Sequence, residues 1–383
     1  MAVVIQSSAR TPIGAFLGGL SQVKATQLGA VALAGALARA GLTRADVDLV
    51  LLGQVLTAGV GQAPARQAAR AAGLLDTVPA VTINKMCGSG LEALIQGARA
   101  VLAGDARHVM VGGMESMSNA PFVLPGARRG LRLGHVQALD AVLFDGLVDA
   151  YDGRHMGACA EDSAHEHGFG REDQDAYAVR SYERALRASE DGSFAAEVVA
   201  SGLPIAVDEG PSLVDFAKLP RLRPAFVADG TITAANASTI NDGAAALVLA
   251  DEAIARERGE PIEARLVGWS VHAQAPADFA IAPVGAMRSL FERVGWRPDE
   301  VDAFEINEAF AVVAMAAMAA FDLPAERVNV FGGAVALGHP IGASGARIVV
   351  TLLNVLRRTG GRRGVASICI GGGEALALAL ERV

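Results

Sequence analysis

The chain has 383 residues, of which 52 % are hydrophobic, and it carries a formal net charge of −8. Such a chain can build a large core as two or three domains or as one duplicated unit, and its acidic balance argues against a nucleic-acid partner. The three widely spaced cysteines, Cys87, Cys159 and Cys369, form neither a disulfide framework nor a zinc motif, which favours a reducing compartment. The sequence contains no basic and apolar leader pattern and no apolar run long enough for a bilayer, so we expect a cytoplasmic protein without membrane insertion.

Strand-like and helix-like segments alternate in the first section of the chain. Short β-branched runs predict strands, and runs with apolar residues at three- and four-residue steps predict helices. The predicted strands cover residues 3–5, 47–52, 81–83 and 108–111, and the predicted helices cover residues 28–40, 64–72 and 91–102. Because helices separate the strands, we expect right-handed crossovers and a largely parallel sheet that is covered on both faces.

The alternation stops between Met114 and about Ala235, and we interpret this stretch as an insertion carried by the first half of the chain. Its helix at 172–187 is highly charged and is expected on the solvated surface. His165 and His167 form an H-x-H pair that could bind a metal. Residues two apart on a helix point to different faces, however, so we expect no metal site there.

The alternation resumes after the insertion. The predicted strands cover residues 243–250, 265–271, 301–306, 328–331, 365–370 and 376–380, and the predicted helices cover residues 284–294, 308–320 and 343–357. The strand, glycine-containing turn and helix at 81–102 are echoed by a strand, a glycine-rich turn and a helix at 328–357. The echo predicts a duplicated α/β unit in which equivalent turns of the two halves share one site.

The turn around Cys87 is the first candidate for chemistry. It lies between the strand at 81–83 and the next helix, where the positive end of the helix dipole favours a thiolate. Gly88 and Gly90 would leave room for a substrate carbonyl and leave backbone N–H groups free for an oxyanion. The alternative is that Cys87 is only a small buried hydrophobic residue.

Three later segments contain further polar candidates. Asn307 and Glu308 lie at a strand–helix junction, where they could act as helix caps or as functional groups. His339 lies in a glycine-rich turn before a proline, a position that suits a general base. Cys369 ends a β-branched strand and precedes the glycines at 371–373, so a second thiol lies beside exposed backbone donors.

Taken together, these segments resemble the thiolase family of acetyl-CoA acetyltransferases and 3-ketoacyl-CoA thiolases. The matching strings cover essentially the whole chain in the family's order: NKMCGSGLEAL (84–94), GGMESMSNAPF (112–122), HMGACAED (155–162), LRPAF (222–226), NEAFA (307–311), GGAVALGHPIGASGAR (332–347) and CIGGG (369–373). The resemblance implies the α/β thiolase fold, in which duplicated mixed-sheet halves form αβαβα layers with an inserted loop domain. It also implies three parts: an N-terminal half of residues 1–118 and 236–250, an inserted CoA-binding domain of residues 119–235, and a C-terminal half of residues 251–383.

The resemblance further implies reversible transfer of an acyl group between the CoA thiol and the α-carbon of acetyl-CoA, through an acyl intermediate on Cys87. Cys87 would be the nucleophile, with a pKa lowered by the helix terminus and by His339 as its base. Cys369 would be the second acid/base. Asn307 would hold a water that forms one oxyanion hole with His339, and the N–H groups of Cys87 and Gly371 would form the other.

By the same resemblance, the pantetheine arm of CoA lies along the inserted domain. Its implied contacts are His155, Met156, Ala237, Ser238 and Phe310, and Arg221 and Arg223 are candidates for the phosphates. The implied partners are CoA and acyl-CoA as substrates and further copies of the chain in a homodimer or homotetramer. No tightly bound cofactor and no metal are implied.

Two other functions remain as alternatives. A decarboxylating condensing enzyme such as a ketoacyl synthase would carry a second His in place of Asn307 and would lack the thiol of Cys369. A catalytically silent thiolase-like subunit would only bind acyl-CoA or act as a scaffold for a partner. The presence of all the candidate catalytic residues argues against both alternatives.

Overall fold

The computed structural model describes residues 2–383. Its strands are β1 (Val3–Arg10), β2 (Gly14–Ala15), β3 (Leu49–Gly53), β4 (Ala80–Ile83), β5 (His108–Ser116), β6 (Phe122–Val123), β7 (Leu139–Asp140), β8 (Asn241–Asp251), β9 (Ala264–Ala273), β10 (Ala303–Ile306), β11 (Arg363–Ile370) and β12 (Glu374–Arg382). Its helices are α1 (Ala25–Ala40), α2 (Pro64–Ala71), α3 (Ser89–Ala103), α4 (Met156–Glu166), α5 (Arg171–Glu190), α6 (Glu252–Glu257), α7 (Ala282–Val294), α8 (Ala311–Phe321), α9 (Ala334–Leu337) and α10 (Ser344–Thr359). Short 3-10 turns lie at Met117–Asn119, Ala127–Arg129, Ser193–Ala196, Gly210–Leu213, Leu219–Arg221, Pro276–Ile281, Pro298–Glu300 and Ala325–Arg327, and a π-helical turn lies at Leu143–Leu147.

Most of the strands form one ten-stranded sheet in the order β10-β11-β12-β9-β1-β8-β5-β3-β4, with β2 beside β8. Strands β4, β3 and β5 are parallel neighbours, as are β10 and β11. Strands β8 and β12 are antiparallel to the strands on either side of them. Only the pairs Val4–Arg265 and Ile5–Ala264 join β1 to β9, and this short link is where the two halves of the sheet meet.

The two halves of the sheet repeat one plan. From the outer edge inwards, the first half has the order β4-β3-β5-β8-β1, and the second half has an isolated bridge at Val328 followed by β10-β11-β12-β9. The relative strand directions also agree. In each half one strand, β8 in the first and β12 in the second, is antiparallel to both of its neighbours. The predicted duplication is confirmed, and the sheet is mixed. The expectation of a largely parallel sheet is wrong at β8 and β12. Strand β8 enters the sheet after the insertion, and β12 follows β11 directly through the turn at 371–373, so it returns antiparallel to β11.

Helices and sheet halves form five alternating layers. Helices α1 and α2 cover the outer face of the first half, and α7, with α8 beside it, covers the outer face of the second. Helices α3 and α10 pack against each other between the two halves, and α10 is buried from Ser344 to Leu356. Because α3 and α10 begin at the turns that contain Cys87 and His339, this layer brings turns from both halves to one place.

Glycines allow the close approach of α3 and α10. A Cβ atom at Gly90 would lie 2.7 Å from the backbone N of Ala346, and one at Gly345 would lie 2.5 Å from the backbone N of Leu91. A Cβ at Gly88 would lie 2.5 Å from a side chain of β11. Gly88 and Gly90 therefore make room for the other half of the protein, and the expectation that they leave space for a substrate is wrong.

The strand predicted at 328–331 is reduced to one bridge between Val328 and Phe304. The backbone leaves the extended conformation at once, because Asn329 has a φ of +47°. The side chain of Asn329 instead exchanges hydrogen bonds with the backbone of Ile306, at 2.8 Å to its N and 2.9 Å to its O. The amide side chain thus makes the two hydrogen bonds that a second backbone pairing between these segments would have made.

The helix predicted to begin at Glu308 begins three residues later, at Ala311. Phe310 is extended, with φ −141° and ψ 156°, and forms an isolated bridge with Ala237. The residues after β10 therefore continue as a short extended segment beside Ala237, and the helix begins only at Ala311.

The inserted stretch contains the β6–β7 hairpin and helices α4 and α5. The predicted solvated face of α5 is exposed only in part, because Arg184 is half-buried and donates to Val328 O and Ala325 O. The face with Tyr177 and Tyr182 is buried against the second half. Arg10 of β1 is fully buried and pairs with Glu197 at 2.8 Å and with Asp208 at 2.7 Å. These buried ion pairs fix the far end of the insertion to the central sheet.

Candidate active site

The turn between β4 and α3 presents the side chain of Cys87. Met86, the residue before it, has a φ of +46°, a backbone conformation that residues other than glycine rarely adopt. Ser89 holds this turn, because its Oγ accepts a hydrogen bond from Lys85 N at 2.9 Å and donates one to Met86 O at 2.7 Å. The sharp turn directs the thiol away from the helix and toward the second half of the protein.

The backbone N–H groups of Cys87 itself and of Gly371 lie near the sulfur of Cys87 and act to lower the pKa of its thiol. The other neighbours of the half-buried side chain are apolar and include Leu56, Met117 and Ile341. Burial raises the pKa of the Cys87 thiol to about 11, although the two N–H groups act to lower it. The expectation of a lowered pKa is therefore wrong for the unliganded protein, in which the thiol is protonated at neutral pH.

The ring of His339 is fixed by a short chain of hydrogen bonds. Its backbone N donates to Asn241 Oδ1 at 3.0 Å, and its Nδ1 lies 2.6 Å from Ser344 Oγ. The Ser344 hydroxyl donates to Pro340 O at 3.0 Å, so it accepts the Nδ1 proton and leaves Nε2 without a proton. Nε2 has no hydrogen-bond partner among residues 2–383, including Cys87, and burial lowers the pKa of His339 to about 3.

Asn307 and Cys369 lie at the ends of the adjacent strands β10 and β11. Both are fully buried. Asn307 N donates to Ser367 O at 2.9 Å, and the side-chain Nδ2 has no partner within the described chain. Burial raises the pKa of the Cys369 thiol, and the neighbouring thiol of Cys87 adds to the rise. The two thiols are thus close enough for their charges to interact.

A cavity of about 690 Å³ opens onto these groups. Of the predicted catalytic residues, Cys87, His339 and Gly371 line it, whereas Asn307 and Cys369 lie just behind its wall. All five predicted CoA contacts also line the cavity: His155, Met156, Ala237, Ser238 and Phe310. Residues that are far apart in the sequence therefore converge on one cavity between the two halves and the insertion.

Aromatic side chains form one wall of the cavity. The ring of His155 stacks on Phe226 with centroids 4.6 Å apart, and Phe226 meets Phe310 edge to face at 5.8 Å. Ser238 donates hydrogen bonds from its N and Oγ to Ala309 O, at 3.0 and 2.9 Å, which join the segment before β8 to the segment after β10. The wall is rigid and largely apolar, which suits a flexible aliphatic chain.

The positive charge at the cavity is one that the sequence analysis missed. Lys218 lines the cavity and pairs with Asp215 at 3.0 Å. The candidates Arg221 and Arg223 do not line it, and Arg221 donates to Ala217 O. The basic stretch was visible in the sequence, but the 3-10 turn that decides which of its side chains faces inward was not.

Glu308 has a larger structural role than that of a helix cap. Its carboxylate accepts hydrogen bonds from Tyr177 Oη at 2.7 Å, Ser181 Oγ at 2.8 Å, Asn329 Nδ2 at 2.8 Å and Val335 N at 3.0 Å. It therefore joins α5 of the insertion to the segment before His339. No local pattern reveals this, because the four donors are distant in sequence.

His165 and His167 lie exposed at the end of α4. Within residues 2–383, no three His, Cys, Asp or Glu side chains lie together in a group that could hold a metal ion. No helix within residues 2–383 is both long and apolar enough to cross a membrane.

The duplicated five-layered fold, with Cys87 of the first half lining the cavity and Cys369 of the second half close to it, is that of an α/β acyltransferase. The chain belongs to the thiolase family: residues 3–253 match the family described as "Thiolase, N-terminal domain" and residues 260–382 match "Thiolase, C-terminal domain". The family suggested by the sequence strings is thereby confirmed.

Full-length relatives agree with this assignment. The chain is 46% identical over 389 residues to "Acetyl-CoA acetyltransferase" of Pseudomonas aeruginosa, with 99% of both chains covered. It is 49% identical over 389 residues to "Acetyl-CoA acetyltransferase 1" of Arabidopsis thaliana, with 99% of this chain and 94% of the relative covered. The crystal structure of Acat5 thiolase from Ascaris suum in complex with coenzyme A superimposes with a TM-score of 0.97 at 43% identity and 100% coverage of both chains.

Proposed function

We propose that this protein catalyses the reversible reaction 3-ketoacyl-CoA + CoA ⇌ acyl-CoA + acetyl-CoA through an acyl-Cys87 intermediate. The observation that carries the proposal is the convergence of Cys87, His339 and Gly371 on one cavity, with the thiol of Cys369 close enough to Cys87 to influence it. The relatives named acetyl-CoA acetyltransferase and the CoA complex of the Ascaris suum thiolase support the same reaction.

In the cleavage direction, Cys87 attacks the 3-keto carbon while Nε2 of His339 takes its proton. The ring is suited to this step, because its other nitrogen already donates its proton to Ser344 and Nε2 is free. The carbonyl oxygen becomes an oxyanion, which the N–H groups of Cys87 and Gly371 stabilise. Such a donor lowers the barrier by about 3 kcal/mol.

The bond between C2 and C3 then breaks, and its electron pair forms the enolate of acetyl-CoA. Protonated His339 and a water held by Asn307 stabilise the enolate oxygen, and Cys369 gives its proton to C2. A high thiol pKa makes Cys369 a proton donor at this stage. CoA then transfers its thiol proton to the Cys369 thiolate, attacks the acyl thioester and releases Cys87, which recovers the proton from His339.

We also propose that the inserted domain, residues 119–235, forms the CoA side of the cavity. The stacked rings of His155 and Phe226 and the adjacent Phe310 would flank the pantetheine arm. Lys218, at the rim of the same cavity, is the cation available to a phosphate. Because the side chain of Lys218 is largely exposed, this contact would weaken with rising salt concentration.

The experiment that tests the proposal has two parts. Intact-protein mass spectrometry after incubation with acetyl-CoA should show one acetyl group, located on Cys87 by peptide mapping and absent from Cys87→Ala. A thiolysis assay with 3-ketoacyl-CoA substrates of four to sixteen carbons should then give turnover and the preferred chain length. Acetylation without thiolysis of any substrate would contradict the proposed reaction and favour a silent acyl-CoA-binding protein.

We further propose that the protein is a homodimer or homotetramer. The outermost strand of the first half, β4, has an unpaired edge, and Val81 on it is 48% exposed. The β6–β7 hairpin presents Phe122, which is 67% exposed, and Leu133, which is fully exposed. Light scattering coupled to size exclusion should give two or four times the mass of the 39.2 kDa chain, and a monomeric mass would contradict this expectation.

A further inference from the structure

The side chain of Asn307 has one partner among the described residues, which is Arg347. Arg347 Nη2 donates to Asn307 Oδ1 at 3.4 Å, and Nδ2 of the same amide is buried without a partner. Arg347 projects from α10 and is fully buried, as is Glu305 on β10, whose Oε2 lies 3.3 Å from Arg347 Nη1. A chain of polar groups therefore runs from Glu305 through Arg347 to Asn307 behind the cavity.

The chemistry of arginine gives this contact a direction. An amide side chain has an oxygen that accepts and a nitrogen that donates, and a rotation of half a turn exchanges the two ends. A guanidinium group has only donors, so it can face the oxygen and never the nitrogen. With Oδ1 held by Arg347, the donor end of Asn307 is the end that remains available to the active site.

We propose that Arg347 is a positioning residue that fixes the amide of Asn307 with Nδ2 directed to the reacting groups, and that Glu305 holds Arg347 in place. The inference rests on the proposed function, in which Asn307 holds the water of the enolate-binding hole. A water fixed by a donor turns its own protons outward, toward the developing enolate oxygen. If the amide were reversed, Oδ1 would accept one proton of that water, so the water would lose the donor that fixes it and would keep a single proton for the enolate oxygen.

The proposal separates two steps of one reaction. The enolate forms only when the carbon–carbon bond is made or broken. Transfer of an acetyl group between CoA and Cys87 uses the N–H groups of Cys87 and Gly371 and involves no enolate. Loss of Arg347 should therefore slow carbon–carbon cleavage much more than it slows acetyl exchange between acetyl-CoA and labelled CoA.

The test compares full-length Arg347→Met and Arg347→Lys with the wild type. We expect Arg347→Met to lower kcat for thiolysis about 100-fold, the scale of one lost donor, and to lower acetyl exchange less than about 3-fold. Arg347→Lys retains a cationic donor and should recover part of the thiolysis rate without changing exchange further. If Arg347→Met leaves Glu305 without its partner and does not fold, Glu305→Gln with Arg347→Met replaces both members of the pair and serves as the substitute.

A double-mutant cycle shows whether Arg347 acts through Asn307. In an Asn307→Ala background, Arg347→Met should lower thiolysis by less than about 3-fold, because there is no amide left to orient. Additive losses in the double variant, or equal losses of exchange and thiolysis in Arg347→Met, would overturn the inference. Absence of thiolysis in the wild type would instead contradict the proposed function, so the two failures are distinguishable.

Discussion

The thiol of Cys87 is surrounded by apolar side chains, and the base proposed for it is a neutral imidazole. Burial keeps the pKa of the thiol at about 11 and that of His339 at about 3, so both groups are uncharged at neutral pH. A resting thiolate–imidazolium pair is therefore unfavourable here, and proton transfer accompanies the attack on the substrate. Activation depends on the bound substrate rather than on a preformed ion pair.

Alkylation tests this conclusion directly. Because the pKa of Cys87 is raised, the rate of its modification by iodoacetamide should rise by about tenfold per pH unit between about pH 7 and pH 10. The measurement is peptide mapping by mass spectrometry at several pH values, and acetyl-CoA should protect the residue. The fully buried Cys159 serves as the internal control. A plateau near pH 7 would reveal a thiolate–imidazolium pair, and faster labelling of Cys159 would contradict the assignment of the nucleophile.

Removal of the second thiol should separate two activities. We expect Cys369→Ala to retain acetyl exchange into Cys87 far better than carbon–carbon cleavage, since a proton on carbon moves with much more difficulty than a proton on sulfur. Radiolabelled CoA exchange and spectrophotometric thiolysis measure the two rates. Cys369→Ser, which keeps the size and a weaker acid, is the matched control. Equal losses in both assays would count against Cys369 as the proton donor to carbon.

At the residue scale, the sequence identified the groups proposed to carry the chemistry, because each stands in a distinctive turn. It did not identify Asn241, Ser344 or Arg347, which position His339 and Asn307. These residues act across contacts between elements that local patterns do not reveal. The environment of Cys87 was also unpredictable from sequence, because desolvation depends on side chains contributed by four distant segments.

Among the secondary-structure elements, the contact between α3 and α10 determines how closely the two catalytic turns approach. Gly345→Ala places a methyl group against the backbone of Leu91, and overpacking of this kind costs about 1–3 kcal/mol. We expect its Tm to fall by about 2–6 °C in differential scanning fluorimetry. Gly170→Ala, where the nearest atom to the new methyl group is 3.4 Å away, is the control and should change Tm little. An unchanged Tm in Gly345→Ala would show that the helices can separate without cost.

Periodicity predicted most helices and strands but not their ends at the site. The helix predicted from Glu308 begins late because Phe310 pairs with Ala237, in the segment that leads from the insertion into β8. The segment at 328–331 has the composition of a strand, yet it makes only one bridge to its neighbour. Both errors occur where a tertiary contact overrides local preference, and Phe310 and Ala237 also line the cavity.

For the whole molecule, one buried carboxyl group couples folding to pH. Glu115 accepts hydrogen bonds from Val55 N at 2.9 Å, Leu56 N at 3.3 Å and Gly342 N at 3.0 Å, so it holds the loop of His339 against the first half. Burial raises the pKa of Glu115 to about 7 from the 4.5 of an exposed glutamate. A raised carboxyl pKa contributes stability below about pH 4.5, and this contribution is lost as pH rises through about 7.

Glu115→Gln removes this titration. We expect the Tm of the wild type, measured relative to that of the variant, to fall between about pH 5 and pH 8, because the wild type alone must release a buried proton. The shift corresponds to at most about 3 kcal/mol. The lost acceptor lowers the Tm of the variant at every pH, so the informative quantity is the change of the difference with pH. A difference that is constant across this range would contradict the raised pKa.

The order of strands within the sheet was beyond sequence reasoning, although the duplication was visible as an echo of turns. Strand β8 enters between β1 and β5 only after the whole insertion has been traversed, and β12 occupies the equivalent place in the second half. Hydrophobic patterns report which residues are buried, but they do not report which buried strands are neighbours.

The repeat of one strand order in both halves has a consequence for ancestry. Neither half alone contains both thiols, because Cys87 follows β4 of the first half and Cys369 ends β11 of the second. A gene that encoded a single half could have built such a site only by self-association, with each turn supplied twice by symmetry. Once two copies are fused in one chain, their equivalent turns can differ in sequence, so that one turn carries a cysteine where its equivalent carries a histidine. The different side chains that the two turns contribute to one site are thus a consequence of tandem duplication.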